Sequence, residues 1–204
     1  MRYRAIGFDL LTALLDTWTL WRVVAGEPAL GMRWHAASQA MLRGQAYRPF
    51  PFDQIVRDSA AEVGVPPKRA EEMLDRWGEF DPWPDVPAAL GGLRGVKRFI
   101  VTNCSRELGA RAAKRAGTFD LVMTAEEAGA YKPDPRPYRA ALAALGMAAS
   151  EVLFVAGSAH DVGGAARVGM DVYWANRGQL TPPDDGVALR NEPDLRGLLA
   201  LVEG

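Results

Sequence analysis

Asp9 closes a short apolar run, IGFDLL, near the start of the chain. A carboxylate among apolar neighbours is costly unless it is paired or used. It can cap the turn that follows or belong to a reactive site. Thr102 and Asn103 stand together in VTNCS. A hydroxyl and an amide there either cap the next helix or donate hydrogen bonds to an anion, helped by that helix's N-terminus. Lys132 lies in GAYKPDPRPY, where prolines stiffen the backbone. A lysine is ordinarily solvated, but one held in a rigid loop can supply the cation that keeps Asp9 ionised. Asp161 follows Ser158 and His160 in GSAHDVGGAARVGM, where it is also a good helix N-cap.

The segments around these residues explain why they belong together. Residues 3–9, 98–102, 121–123, 152–156 and 172–174 read as short buried strands. Helical stretches at 87–93, 105–115, 135–145 and 161–168 alternate with them. That alternation means right-handed crossovers and a parallel sheet. The acids, the hydroxyl–amide pair and the lysine then fall at the ends of βα units, which converge on one crevice in a doubly wound sheet. Residues 16–80 break the rhythm and read as helices only, at about 17–24, 29–43, 52–63 and 67–77, punctuated by Pro49, Pro51, Pro66 and Pro67. The stretch DPWPDVP, 81–87, reads as a stiff connector. The expected organisation is a core of residues 1–15 and 85–204, with a helical insert of residues 16–84 above the strands' carboxyl ends. Five of the six tryptophans precede residue 84 and serve to pack that insert.

Bulk properties narrow the function classes. The chain has 204 residues, 49% hydrophobic and 24% charged, with 24 basic and 25 acidic groups and a net charge of −1. These are globular values, not those of a disordered chain. A balance so near zero argues against a protein that wraps nucleic acid. Cys104 is the lone cysteine, so no disulfide forms within the chain. Asp9 and Asp16 interrupt the apolar N-terminal run, unlike a signal peptide. No stretch offers the roughly 20 uncharged apolar residues of a membrane helix. The expectation is a cytoplasmic protein without membrane or nucleic-acid partners.

Four motifs, FDLLTALLD, VTN, GAYKPDPRPY and FVAGSAHDVGGAARVGM, stand in an order and spacing that resembles the haloacid dehalogenase superfamily over essentially the whole chain. YKPDPRPY, YWANR and the insert after the first strand look most like its L-2-haloacid dehalogenase branch. The resemblance implies a Rossmann-like α/β fold: a doubly wound parallel sheet of about five strands, the first one central, under a helical cap. It also implies Asp9 as nucleophile, Lys132 as its charge partner and Asp161 as the residue that orients or activates hydrolytic water. Thr102 would bind a substrate carboxylate, Asn103 would lie near the leaving halide, and Tyr138 matches a family tyrosine at the substrate site. Ser158 stands where the family has an asparagine contact. Arg33 stands at about the distance after Asp9 of the arginine that cradles the halide. The family also suggests a homodimer.

Two chemistries run on that scaffold. A phosphatase usually has a second aspartate two positions after the nucleophile, and Mg²⁺ held partly by an aspartate just after the fourth strand. Here those positions are Leu11 and Ala156. Leucine cannot protonate a leaving alkoxide, and alanine cannot bind a hard cation. A dehalogenase attacks carbon and expels halide, needs no metal, and proceeds through an aspartyl ester. The expected function is therefore metal-independent hydrolysis of a small 2-haloacid-like anion. The alternatives are a Mg²⁺-dependent small-molecule phosphatase and a degenerate scaffold that binds a small anion or a protein partner without turnover. The family's tyrosine, threonine, serine and aromatic are replaced by Leu11, Ala13, Ala156 and His160, which removes several hydrogen bonds from the site. Each lost oxyanion donor is worth about 2.7–4 kcal/mol.

Overall fold

The computed structural model describes residues 2–43, 52–181 and 187–203. Pro49 and Pro51 lie outside them. The chain opens with β1 (Ala5–Phe8), passes through a single wide turn, and enters β2 (Leu15–Asp16). Four helices follow: α1 (Thr17–Ala25), α2 (Pro28–Arg43), α3 (Phe52–Glu62) and α4 (Pro67–Asp75). β3 (Asp81–Pro82) returns the chain to the sheet side, pairing antiparallel with β2. Then come α5 (Val86–Gly92), β4 (Lys97–Thr102), α6 (Arg106–Ala116), β5 (Leu121–Thr124), α7 (Ala125–Ala128) and α8 (Pro135–Leu145). The chain continues through β6 (Val152–Ala156), α9 (Ala159–Arg167), β7 (Asp171–Ala175), β8 (Arg190–Glu192) and α10 (Leu198–Glu203).

The main sheet is parallel, in the order β5-β4-β1-β6-β7-β8. It has six strands rather than the five expected. β8 escapes a hydrophobic reading because it is a polar three-residue edge strand, Arg-Asn-Glu, defined by its backbone pairing with β7. The connector is a second correction. Asp81 and Pro82 are strand residues, and a proline's missing N–H is tolerated at the edge of a two-stranded ribbon.

β1 is central, flanked by β4 and β6, and all four of its residues are buried. This brings Asp9 to the middle of the sheet's carboxyl edge. Gly7 permits the packing there: a Cβ on it would lie 2.6 Å from the Phe99 ring and 2.8 Å from that of Phe154. The inserted helices pack around aromatic rings. Trp21 meets Trp34 edge-on at 4.7 Å, and Trp77 contacts Phe52 at 5.4 Å and Phe80 at 5.0 Å. The buried Trp34 indole N–H donates to Val56 O at 3.0 Å, so its polar atom is satisfied. Among the described residues, no helix is long and apolar enough to cross a membrane.

Candidate active site

Asp9 sits where β1 turns, and it caps that turn. Its Oδ2 accepts the backbone N–H groups of Thr12 (3.0 Å) and Ala13 (3.2 Å). The capping and reactive readings of Asp9 are thus compatible, because its second oxygen is engaged elsewhere. Oδ1 receives the Lys132 ammonium at 2.8 Å. The same ammonium donates to Asp161 Oδ2 at 2.9 Å. Asp161 Oδ1 in turn accepts the Tyr138 hydroxyl at 2.9 Å. The Lys132 side chain is only 3% exposed, with Asp9 at 10% and Asp161 at 7%. Asp9 and Lys132, 123 positions apart in the chain, therefore join Asp161 in one buried carboxylate–ammonium–carboxylate row.

Local sequence explains each placement. Asn103 grips the Lys132 backbone from both sides: its Oδ1 accepts the Lys132 N–H at 2.7 Å, and its Nδ2 donates to the Lys132 carbonyl at 3.3 Å. Asp134 caps α8 through the Arg136 N–H (2.8 Å), and Pro135 opens that helix. The lysine is thereby fixed just ahead of the helix that carries Tyr138. Ser158, not Asp161, caps α9, its hydroxyl oxygen accepting the Asp161 N–H at 3.2 Å. That leaves the Asp161 carboxylate for Lys132 and Tyr138. Gly157 makes the close approach of two loops feasible, since a Cβ there would fall 2.4 Å from Asp9 Oδ2 and 2.6 Å from Ala13 N.

Burial and charge set the protonation states. Burial alone would lower the Lys132 pKa, but Asp161 and Asp9 together outweigh it, and the ammonium is held above its ordinary value. Burial raises the Asp161 pKa, and the neighbouring Asp9 charge adds to that, against the opposing pull of Lys132. Asp161 is therefore a better proton acceptor than a solvated carboxylate. Burial and the adjacent Asp161 charge push the Tyr138 phenol far up, so it keeps its proton and donates.

A cavity of about 50 Å³ opens over this row. Asp9, Thr102, Asn103, Lys132, Ser158 and Asp161 all line it, along with Leu11, Thr12, Pro133 and His160, and Gln39, Leu42 and Phe52 close it from the insert. Two expectations need revision. Arg33 is not among the lining residues and is exposed on α2. Leu42 is nine positions further along the helix, about two and a half turns at 3.6 residues per turn, and so faces the other way. Tyr138 is fully buried behind Asp161, to which it donates, and does not line the cavity. Asn103 lines the cavity while its side-chain amide holds the Lys132 backbone. The capping alternative for Thr102 and Asn103 also falls away, since Ser105 occupies the α6 N-cap position. The Thr102 hydroxyl sits 3.4 Å from Cys104 Sγ.

The donor set does not suit the Mg²⁺ that a phosphatase would need. Mg²⁺ demands near-octahedral oxygen coordination. Both oxygens of Asp161 and both of Asp9 are engaged by protein donors, and the side chains of Leu11 and Ala156 offer no ligand atom. No cluster of three metal-binding side chains exists among the described residues.

A family described as haloacid dehalogenase-like hydrolase matches residues 23–169. The chain belongs to that family. This haloacid dehalogenase-like hydrolase is 34% identical over 192 residues to the (S)-2-haloacid dehalogenase of Pseudomonas sp. strain YL, a match spanning 85% of this chain and 83% of the relative. It is also 32% identical over 187 residues to the phosphoserine phosphatase of Thermus thermophilus, spanning 86% and 73%. A solved L-2-haloacid dehalogenase structure superposes with a TM-score of 0.87 at 25% identity, over the full length of both chains. The relatives of the hydrolase thus include both chemistries weighed from its motifs.

Removing the Tyr138 hydroxyl isolates its contribution. Tyr138→Phe keeps the ring against Phe154, 5.3 Å away, and deletes the donor to Asp161 Oδ1. A hydrogen bond to a charged group is worth about 1.5–3 kcal/mol, so the step that depends on Asp161 is expected to slow on the order of 10-fold to 100-fold. On the roles that the family resemblance implies for Asp9 and Asp161, rapid-quench mass spectrometry would then find modified Asp9 accumulating during turnover. A wild-type steady state, without accumulation, would show that the hydroxyl does not orient Asp161.

Proposed function

We propose that this hydrolase displaces halide from a small 2-halocarboxylate by a metal-independent, two-step route through an ester of Asp9. The observation that carries the reading is the Lys132 ammonium shared by Asp9 and Asp161, beside a cavity that lacks both extra phosphatase acids. In the first step a carboxylate oxygen of Asp9 attacks C2 of the substrate. The new C–O bond forms as the C–halogen bond breaks, and the electron pair leaves with the halide. Halide needs no proton, so Leu11 is no handicap. Asp9 Oδ2, anchored by two backbone N–H groups, is the oxygen suited to become the ester carbonyl, which leaves Oδ1 to attack.

In the second step Asp161 takes a proton from water, and the hydroxide adds to the Asp9 carbonyl carbon. The Thr12 and Ala13 amides stabilise the resulting oxyanion, so backbone donors offset part of what Ala13 lacks in its side chain. The acyl C–O bond then breaks, the 2-hydroxy acid leaves with the proton returned from Asp161, and Asp9 keeps one oxygen from water, regaining its carboxylate as the second water proton passes to solvent. The Ser158 hydroxyl accepts from Asp161 N and still has its own proton to donate to a substrate carboxylate. Thr102 and His160 add polar contacts, while Leu11, Leu42 and Phe52 receive the apolar part of the acid.

The test is one turnover of 2-chloropropionate in ¹⁸O-water with EDTA present and enzyme in excess. Chloride release with one ¹⁸O in the Asp9 peptide is expected. Absence of chloride release, with Mg²⁺-dependent phosphate release from phosphate monoesters instead, would overturn the reading in favour of the phosphatase. Binding of 2-chloropropionate without either product would leave the scaffold reading standing.

A further inference from the structure

The amides that hold Asp9 belong to a turn that cannot hold itself. Residues 10–14 form one isolated wide turn, closed by the Leu15 N–H to Leu10 O. A single turn fixes several dihedrals for one hydrogen bond, so its shape must come from outside. Three successive carbonyls of this turn are taken by distant groups. Thr12 O accepts the Trp83 indole N–H at 2.9 Å, Ala13 O accepts Arg177 Nη2 at 2.9 Å, and Leu14 O accepts the Trp83 backbone N–H at 3.0 Å. Arg177 is itself locked. Its two terminal nitrogens form a fork with Asp85 (2.7 and 2.9 Å), its guanidinium stacks 5.2 Å from the Trp83 ring, and its side chain is 4% exposed. Asp85 also accepts the Leu195 N–H at 2.8 Å.

One peptide group links this assembly to Asp9. The unit between Thr12 and Ala13 gives its N–H to Asp9 Oδ2 and takes the Trp83 indole on its carbonyl. Hydrogen bonds in such a chain polarise one another, so the indole both fixes and strengthens the donor facing Asp9. Neither Arg177 nor Trp83 lines the cavity. We propose that Trp83 and Arg177, the latter braced by Asp85, are positioning residues that aim Asp9 through the backbone of residues 12–14. The proposal rests on Asp9 being the nucleophile.

Two variants test it. Trp83→Phe removes the indole donor and keeps an aromatic ring under Arg177. Arg177→Lys keeps a positive charge for Asp85 and loses the fork. Misplacement of a reacting group by about 1 Å can cost 10²-fold. Single-turnover formation of the Asp9 ester from 2-chloropropionate should therefore fall roughly 10-fold to 100-fold in each variant, with half-saturation unchanged. In the substrate-free protein, hydrogen exchange at the Thr12 and Ala13 amides should accelerate, while the amides of β1 and β6 stay protected. A merely structural role would loosen those strands as well and would not split rate from saturation. Wild-type ester formation, or unchanged exchange at Ala13, in Trp83→Phe overturns the proposal. If the unsubstituted protein forms no ester at all, the functional reading fails, and the exchange measurement still decides whether the clamp holds the turn.

Discussion

Replacing Asp9 by asparagine is expected to abolish turnover while leaving the fold standing. The amide cannot supply the anionic oxygen that forms the ester. Deleting a nucleophile costs roughly 10⁶-fold where other triad-like machinery survives, and the other carboxylate lining the cavity, Asp161, lacks the pair of backbone amides that hold Asp9 Oδ2 and would stabilise hydrolysis of an ester. The structural cost is smaller. Asparagine's carbonyl oxygen can still accept from Thr12 and Ala13, and Asn is as good a cap as Asp. The loss falls on the contact with Lys132, which then retains Asp161 alone. Circular dichroism and a denaturant melt should show a folded protein, and chloride release should sit at background. Intact mass must show the single-dalton difference from the unsubstituted protein at the time of assay, since slow deamidation restores the carboxylate. Turnover by a sample whose mass verifies the Asp9→Asn substitution would remove Asp9 from the mechanism.

The sheet was readable because its strands are apolar runs separated by helices with clear punctuation. The residues that meet at its edge were readable because side-chain identity survives in sequence. Asp9, Lys132 and Asp161 each end or follow such a run, and the fold brings them within one hydrogen bond of each other. What stayed hidden carries no side-chain signature. The Thr12 and Ala13 amides are backbone groups, and residue 13 reads only as an alanine that lacks a hydroxyl. The sole hint was Asp9 itself, whose place before a turn suggested capping and whose cap donors are those amides. The Arg177–Asp85 fork joins residues 92 positions apart, and nothing local pairs them. Arg33 misled for a geometric reason: distance along a helix does not fix its face, and Gln39 and Leu42 present the side that meets the cavity.

In the proposed route stability and reaction both turn on Lys132, and Lys132→Met tests its part by pH. Methionine fills a similar volume and removes the ammonium from between two nearly buried carboxylates. Breaking a buried charge pair in this way destabilises by about 3–5 kcal/mol. Loss of one preorganised electrostatic partner lowers turnover by about 10²–10³-fold. The deficit must depend on pH. Asp161 has a folded-state pKa above its ordinary value, so the stabilisation from its bound proton is present below the unfolded carboxylate range and is lost as pH rises through the folded value. Without the ammonium that value rises further, and the window extends upward. The variant should therefore recover stability relative to the unsubstituted protein as pH falls from neutrality. On the alkaline side the gap should narrow again. The Lys132 pKa is raised in the folded state, so its contribution is whole below the unfolded lysine value and disappears as pH climbs through the folded one. Urea unfolding across pH should give a stability difference that peaks between these limits. A difference independent of pH would mean that the lysine acts by packing alone, and the shared ammonium could no longer be the feature that keeps Asp9 reactive.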